Sequence, residues 1–151
     1  MRIEKQALLG ASTERAWALL LDPVVMAACV PGMASIEVIS DTEYLATIKV
    51  RISFVSASFR IRTTIVDQRP SVWLRSVGTG EDSALASTLR HDTQIALEPA
   101  PEGQTLFRVE SDVEVLGRVG AFGLSAMKTK ADRLWDAFVE ALQSRLAAEA
   151  G

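Results

Sequence analysis

The sequence predicts an α+β domain in which a curved antiparallel sheet of about seven strands wraps around a long C-terminal helix. Three observations lead there. Apolar residues alternate with polar ones from Ala34 to Leu116, they recur at helical spacing after Gly117, and two short helix signals follow a first strand. A sheet with one apolar face must bury it against a second layer, and the terminal helix is the element long enough to cover it.

Each element has its own signal. Residues 2 to 11 read as the first strand. Ser12 or Thr13 can cap a helix through Leu21, because a side-chain oxygen there accepts from the orphan amides of the first turn. Asp22-Pro23 resets the chain, Pro23 suits the first turn of a second helix reaching about Val30, and Pro31-Gly32 stops it. In the next stretch Tyr44, Ala46, Ile48, Val50 and Ile52 alternate with Thr47, Lys49, Arg51 and Ser53. Val55, Ala57, Phe59, Ile61, Thr63 and Ile65 then share one face, opposite Ser56, Ser58, Arg60, Arg62 and Thr64. Phe107, Val109, Val113 and Val115 repeat the pattern against Arg108, Glu110, Asp112 and Glu114. Breaks at Ser40-Asp41, Arg69-Pro70, Gly78 to Asp82 and Pro99 to Gly103 divide the run into about six strands. The apolar phase changes near Thr88, which predicts a bulge between Leu85 and Leu97. Leu124, Met127, Ala131, Leu134, Trp135, Phe138, Leu142 and Leu146 form the stripe of a helix of about thirty residues.

Composition narrows the function. At 151 residues the chain suits one domain spanning 1–151, large enough to bury roughly 70% of its unfolded surface. A single cysteine, Cys29, forms no internal disulfide, and with the single histidine, His91, it cannot build a conventional zinc site. No cofactor or metal is expected, and a reducing, cytoplasmic setting is the simplest reading. The beginning Met1-Arg2-Ile3-Glu4-Lys5 does not read as a signal peptide. The longest uncharged stretch, Pro23 to Ile36, is broken by Pro31-Gly32 and is short of a membrane span. A net charge of −3 gives no reason to expect nucleic acid as a partner.

Four motifs stand in a particular order: Ala16-Trp17 with Leu21-Asp22-Pro23, then Cys29-Val30-Pro31-Gly32, then Glu102-Gly103-Gln104-Thr105, then Gly117 to Gly123. With the element order, they resemble the START-like (SRPBCC) helix-grip superfamily and, within it, the family of the G subunit of aerobic carbon monoxide dehydrogenase. The resemblance spans nearly the whole chain. It implies a cavity between the curved sheet and the terminal helix, and a role beside a molybdenum hydroxylase, attaching it to the membrane or carrying quinone to it. Relatives often carry a C-terminal extension proposed to contact the membrane, and here Ala147-Ala148-Glu149-Ala150-Gly151 follow the helix directly.

The candidate ligand-binding residues are Phe59, Ile61, Phe107, Phe122, Leu124 and Met127, with Thr63 and Ser111 supplying hydroxyls on the inner face. Either hydroxyl can instead bond its own backbone. The spacing of Gly117, Gly120 and Gly123 is not a dinucleotide fingerprint, and it suits a close or flexible start to the helix. Cys29 reads as packing. His91, between Arg90 and Asp92, reads as a solvated strand position or a local ion pair. Trp17, Trp73 and Trp135 read as core, and Lys49, Arg51, Arg60 and Arg62 form an outer basic patch or an ordinary wet sheet face. No catalytic residue is assigned. The expectation is an accessory or carrier protein for a hydrophobic small molecule, a quinone or a lipid, with molybdenum hydroxylase subunits as partners and peripheral contact with the inner membrane face. The alternatives are a polyketide cyclase or dehydratase-like enzyme and a structural assembly factor with a filled core.

Overall fold

The computed structural model describes residues 1–150. Its elements in chain order are β1 (Arg2–Leu9), α1 (Thr13–Leu20), α2 (Pro23–Cys29), β2 (Met33–Val38), β3 (Glu43–Ile52), β4 (Val55–Arg69), β5 (Trp73–Asp82), β6 (Ser87–Ala100), β7 (Gln104–Leu116) and α3 (Gly123–Ala150). The strands form a seven-stranded antiparallel sheet in the order β1-β7-β6-β5-β4-β3-β2. β2 to β7 run as a meander, and β7 returns to pair with β1. The α1–α2 connection therefore joins the two edges of the sheet. Among the described residues no helix is long and apolar enough to cross a membrane.

Local chemistry explains the helix ends. The Ser12 hydroxyl accepts from the Arg15 amide at 3.2 Å, and the Asp22 carboxylate accepts from the Val24 amide at 2.9 Å, each satisfying a first-turn donor. Pro23 then occupies the first turn of α2, where its missing N–H costs nothing. At the far end of the sheet Gly117 has φ +88°, and a side chain there would meet the Ala86 carbonyl oxygen at 2.0 Å. Only glycine permits that turn.

Two expectations about the strands need correction. Gly78 to Asp82 are not a turn: β5 runs straight through them, and the reversal falls at Ser83 to Ala86, with Ala86 at φ +45°. The Asp82 carboxylate makes the reversal by accepting from the Leu85 amide at 3.1 Å and the Ser58 amide at 2.7 Å. The bulge expected near Thr88 is also absent, because β6 pairs without a break with both β5 and β7. The register shifts lie instead between Ile65 and Asp67 and between Met33 and Ser35. With β6 regular, the inward set is Ser87, Leu89, His91, Thr93, Ile95 and Leu97. What read as a phase change is a regular strand carrying polar residues on its inner face.

The main core lies between β1, β6, β7 and the helices. Phe107 sits in its middle, 1% exposed, with ring centroids 5.4 Å from Trp135 and 6.3 Å from Phe138 on α3. Leu9, Val25, Cys29, Leu142 and Leu146 complete it. A smaller cluster joins Ala57, Phe59 and Val119 at the other end of the sheet. α3 is held against β1 by the Lys5–Asp132 ion pair and by Gln143, which donates to the Leu8 carbonyl.

Candidate functional site

Between the two cores the inner face is not filled. A cavity of about 300 Å³ lies there, with Tyr44, Ala46 and Ile48 of β3 and Ile61 and Thr63 of β4 on one side. Leu20, Leu21, Pro23, Met26 and Val30 of the α1–α2 region face them, with Met33 and Ile36 of β2 and His91 of β6. The sheet side follows from register: Tyr44 is opposite Thr63, and Ala46 is opposite Ile61. Alternating apolar residues on two paired strands thus become one continuous wall.

The polar part of this wall is Thr63 and His91, and from them a row of side chains runs on to Thr93 and Ser111. Thr63 Oγ1 lies 3.0 Å from His91 Nε2, His91 Nδ1 lies 3.0 Å from Thr93 Oγ1, and Thr93 Oγ1 lies 2.8 Å from Ser111 Oγ. His91 and Thr63 are on strands separated by β5, and the ring spans the gap because residue 78 is glycine. A Cβ at Gly78 would stand 2.3 Å from His91 Nε2 and 2.8 Å from Thr63 Oγ1. Gly78 clears space for the histidine.

Electrostatics keep the row neutral. Burial holds the His91 pKa below its ordinary value of 6.5, and the smaller pull of Asp92 in the other direction does not overcome it. Asp92 itself faces the other side of the sheet, where its carboxylate accepts two hydrogen bonds from Arg75 at 3.0 and 2.7 Å. This corrects the reading of His91 as a solvated position: the two polar neighbours in sequence are outward, and the ring is inward. Cys29 is buried, and burial pushes its thiol pKa up more strongly than the Arg145 guanidinium pulls it down. The thiol is therefore protonated and suited to packing.

The remaining candidate residues are distributed over several places. Ile61 and Thr63 line the cavity, and Ser111 ends the polar row. Phe59 belongs to the smaller core cluster and Phe107 to the main core. Leu124 and Met127 border a separate depression at the start of α3 with Val113, Val115 and Gly120, where Leu124 is 59% exposed. Phe122 closes a short helical turn, its amide donating to the Val119 carbonyl. The helical wall of the apolar cavity comes from the α1–α2 region and not from α3. The sequence reading passed over Leu20, Met26, Val30 and Ile36 as lining residues, although the Asp-Pro and Pro-Gly signals had already marked two short helices after the first strand. Among the described residues no group of three or more His, Cys, Asp or Glu side chains is arranged to hold a metal. On the outer face Arg62 pairs with Glu43, while Lys49, Arg51 and Arg60 flank it.

Comparison with known proteins agrees with this architecture. A conserved protein from Geobacillus kaustophilus has a similar structure, with a TM-score of 0.89 at 23% identity, covering 98% of this chain and 96% of that one. A START superfamily protein from Mycobacterium smegmatis gives a TM-score of 0.76 at 16% identity, covering 97% of each chain. An aromatase/cyclase from Streptomyces gives 0.68 at 12% identity, covering 100% of this chain and 96% of that one. Identities this low establish the fold alone, which is START-like. No curated protein matches the chain. The family model for the G subunit of carbon monoxide dehydrogenase (CoxG) matches residues 7–147, a span that contains every strand and helix bordering the cavity. The chain belongs to this carbon monoxide dehydrogenase CoxG family.

Proposed function

We propose that this protein is a non-catalytic carrier that holds a hydrophobic small molecule, a quinone or a lipid, in the cavity between β2–β4 and the α1–α2 region. The observation that carries the reading is the cavity itself: about 300 Å³ lined almost wholly by apolar side chains, with Thr63 and His91 at one side. That is the low end of the range for small-molecule sites, which typically pair an apolar lining with a few orienting polar groups. It suits a ring or the end of a chain. Burying the guest's apolar surface yields about 25 cal/mol per Å², less the entropy of association, so shape selectivity is loose and the polar wall does most of the discriminating.

Family membership supports a client of the carbon monoxide dehydrogenase type, a molybdenum hydroxylase that the carrier serves in the cytoplasm. An apolar guest is collected where it dissolves, at the inner membrane face. Lys49, Arg51 and Arg60 on the outer sheet face, with Phe54 83% exposed at the β3–β4 tip, supply the cationic and apolar groups for peripheral contact. A second reading, a proton-moving enzyme of the cyclase kind, draws on His91 in the cavity wall. Both ring nitrogens are engaged by threonine hydroxyls, and Asp92 is committed to Arg75, which favours a binding role for the ring.

The test is binding by delipidated protein of a decyl-substituted para-benzoquinone, a phospholipid and a hydrophobic dye. At a hundredfold excess over Kd the carrier reading expects a melting temperature raised by about 5–10 °C. No saturable binding and no rise with any of the three would sink it, and turnover lost on replacing His91 or Tyr44 would favour the enzyme.

A further inference from the structure

One inner position of β1 breaks its apolar alternation. Ile3, Ala7 and Leu9 are turned inward, and Lys5 shares their phase, with its side chain largely covered. The ammonium finds a carboxylate on α3, that of Asp132. This pair joins the sheet to the part of α3 that is otherwise poorly attached. None of residues 123–141 is fully buried, whereas Leu142 and Leu146 are. Gaps flank the front of the helix on both sides: one of about 260 Å³ against β7, bordered by Leu124 and Met127, and one of about 200 Å³ against β1, between Ile3 and Ala131. The backbone enters α3 through Gly123 at φ +86°, in open space. Polar ties follow the same division. Gln143 bonds Leu8 and Gly10, and Arg15 donates to the Leu146 carbonyl at 2.9 Å, all on the back half. Among the described residues, Lys5–Asp132 is the only hydrogen bond or ion pair from residues 124–134 to the sheet.

We infer that residues 123–134, about three turns of α3, are a flap over the β7 end of the inner sheet face, and that the Lys5–Asp132 pair is its latch. Trp135 and Phe138, in contact with Phe107, mark where the anchored part of the helix begins. Lifting the flap uncovers little apolar surface, because Leu124 is already mostly exposed and neither gap is filled, so the ion pair is a large share of what holds it down. Segments with few buried contacts are the ones that open locally while the rest stays folded. The opening lies over Ser111, which stands opposite Ile3 in register and two residues before Val113, and so between the two gaps. It is a way into the interior apart from the α1–α2 region, and it holds whatever the cavity carries. An exposed ion pair is weak and is screened by salt, so the latch loosens as ionic strength rises.

Thiol labelling tests the flap and the latch together. Ser111→Cys puts a thiol beneath the flap, and Cys29, buried in the main core, reports opening of the whole molecule. Both are exposed to a bulky maleimide in the full chain and told apart by peptide mass. Lys5→Met keeps the apolar stem and removes the charge, and Asp132→Asn removes its partner. Each should speed labelling at position 111 about threefold and leave Cys29 unchanged, and the two combined should do no more than either alone. Salt at 1 M should have the same effect on the chain with its latch intact and add little to Lys5→Met. Val113→Cys, which borders the β7 gap, gives a second position should Ser111→Cys fail to fold, with the same pattern expected. Equal acceleration at both thiols would mean that the pair supports only global stability, and an unchanged rate beneath α3 would mean that the pair latches nothing; either result overturns the inference.

Discussion

At the scale of single residues, the arrangement turns on Gly78 and on the inward side chains of His91 and Thr93 on β6. The alternation of β3 and β4 was plain in the sequence because their inner residues are almost all apolar, and Ile61 and Thr63 could be assigned to the interior from phase alone. β6 hid its inner face, since His91 and Thr93 occupy positions where an apolar residue would have kept the phase visible. Gly78 misled for a related reason: glycine usually marks a turn, whereas here it is a mid-strand gap filled by a histidine from the next strand. Gly78→Ala should therefore displace the His91 ring, cost about 1–3 kcal/mol in denaturant unfolding and weaken guest binding. An unchanged midpoint with unchanged affinity would refute that placement. His91 also sets a pH dependence. Its folded pKa is below the ordinary 6.5, so as pH falls the unfolded chain takes the proton first and the folded state loses stability. Stability should be highest above about pH 7 and decline from about pH 6.5 downward until the folded pKa is passed. Unfolding midpoints measured across that window check it, and a His91→Gln variant should lack this component of the slope.

At the scale of elements, α2 is a short helical part of the cavity wall. It has seven residues, and its first turn depends on the Asp22 carboxylate receiving the Val24 amide. Asp22→Ala should cost about 1 kcal/mol and speed release of a bound guest, measured by stopped-flow fluorescence. An unchanged release rate would mean that α2 does not govern exit. The main core behaves differently. Phe107 touches Trp135 and Phe138 and does not line the apolar cavity, so Phe107→Ala should cost about 3–5 kcal/mol. The milder Phe107→Leu should lower the unfolding midpoint while leaving guest affinity as it was, whereas lost affinity in a folded variant would return Phe107 to the binding site. The long stripe from Leu124 to Leu146 was legible as a helix, but periodicity carries no information on which stretch of a helix meets side chains and which meets space. That depends on where the α1–α2 connection crosses the sheet.

At the scale of the molecule, the fold divides labour between two ends of one sheet. The half built on β1, β6 and β7 is packed against α3 and supplies rigidity, and the half built on β2, β3 and β4 is left partly unfilled under α2. Element order and strand alternation predicted the α+β class with a sheet wrapped around the last helix, because the chain has few ways to cover one continuous apolar face. They could not place the void, since a residue that lines a cavity and one that fills a core look alike in sequence. The two sheet edges are closed to different extents: β1 is backed by α3, and the short β2 packs against α2.

Filling the void tests the account most directly. Ala46 lies in the middle of the cavity's sheet wall, and Ala46→Phe introduces a ring into existing space without removing any hydrogen bond of the polar row. Titration of the natural chain and the variant with decyl-substituted para-benzoquinone should show saturable binding by the first, and at least about tenfold weaker binding by a variant that melts no lower. Undiminished affinity in the filled variant would contradict the account, because the guest would then be held somewhere else.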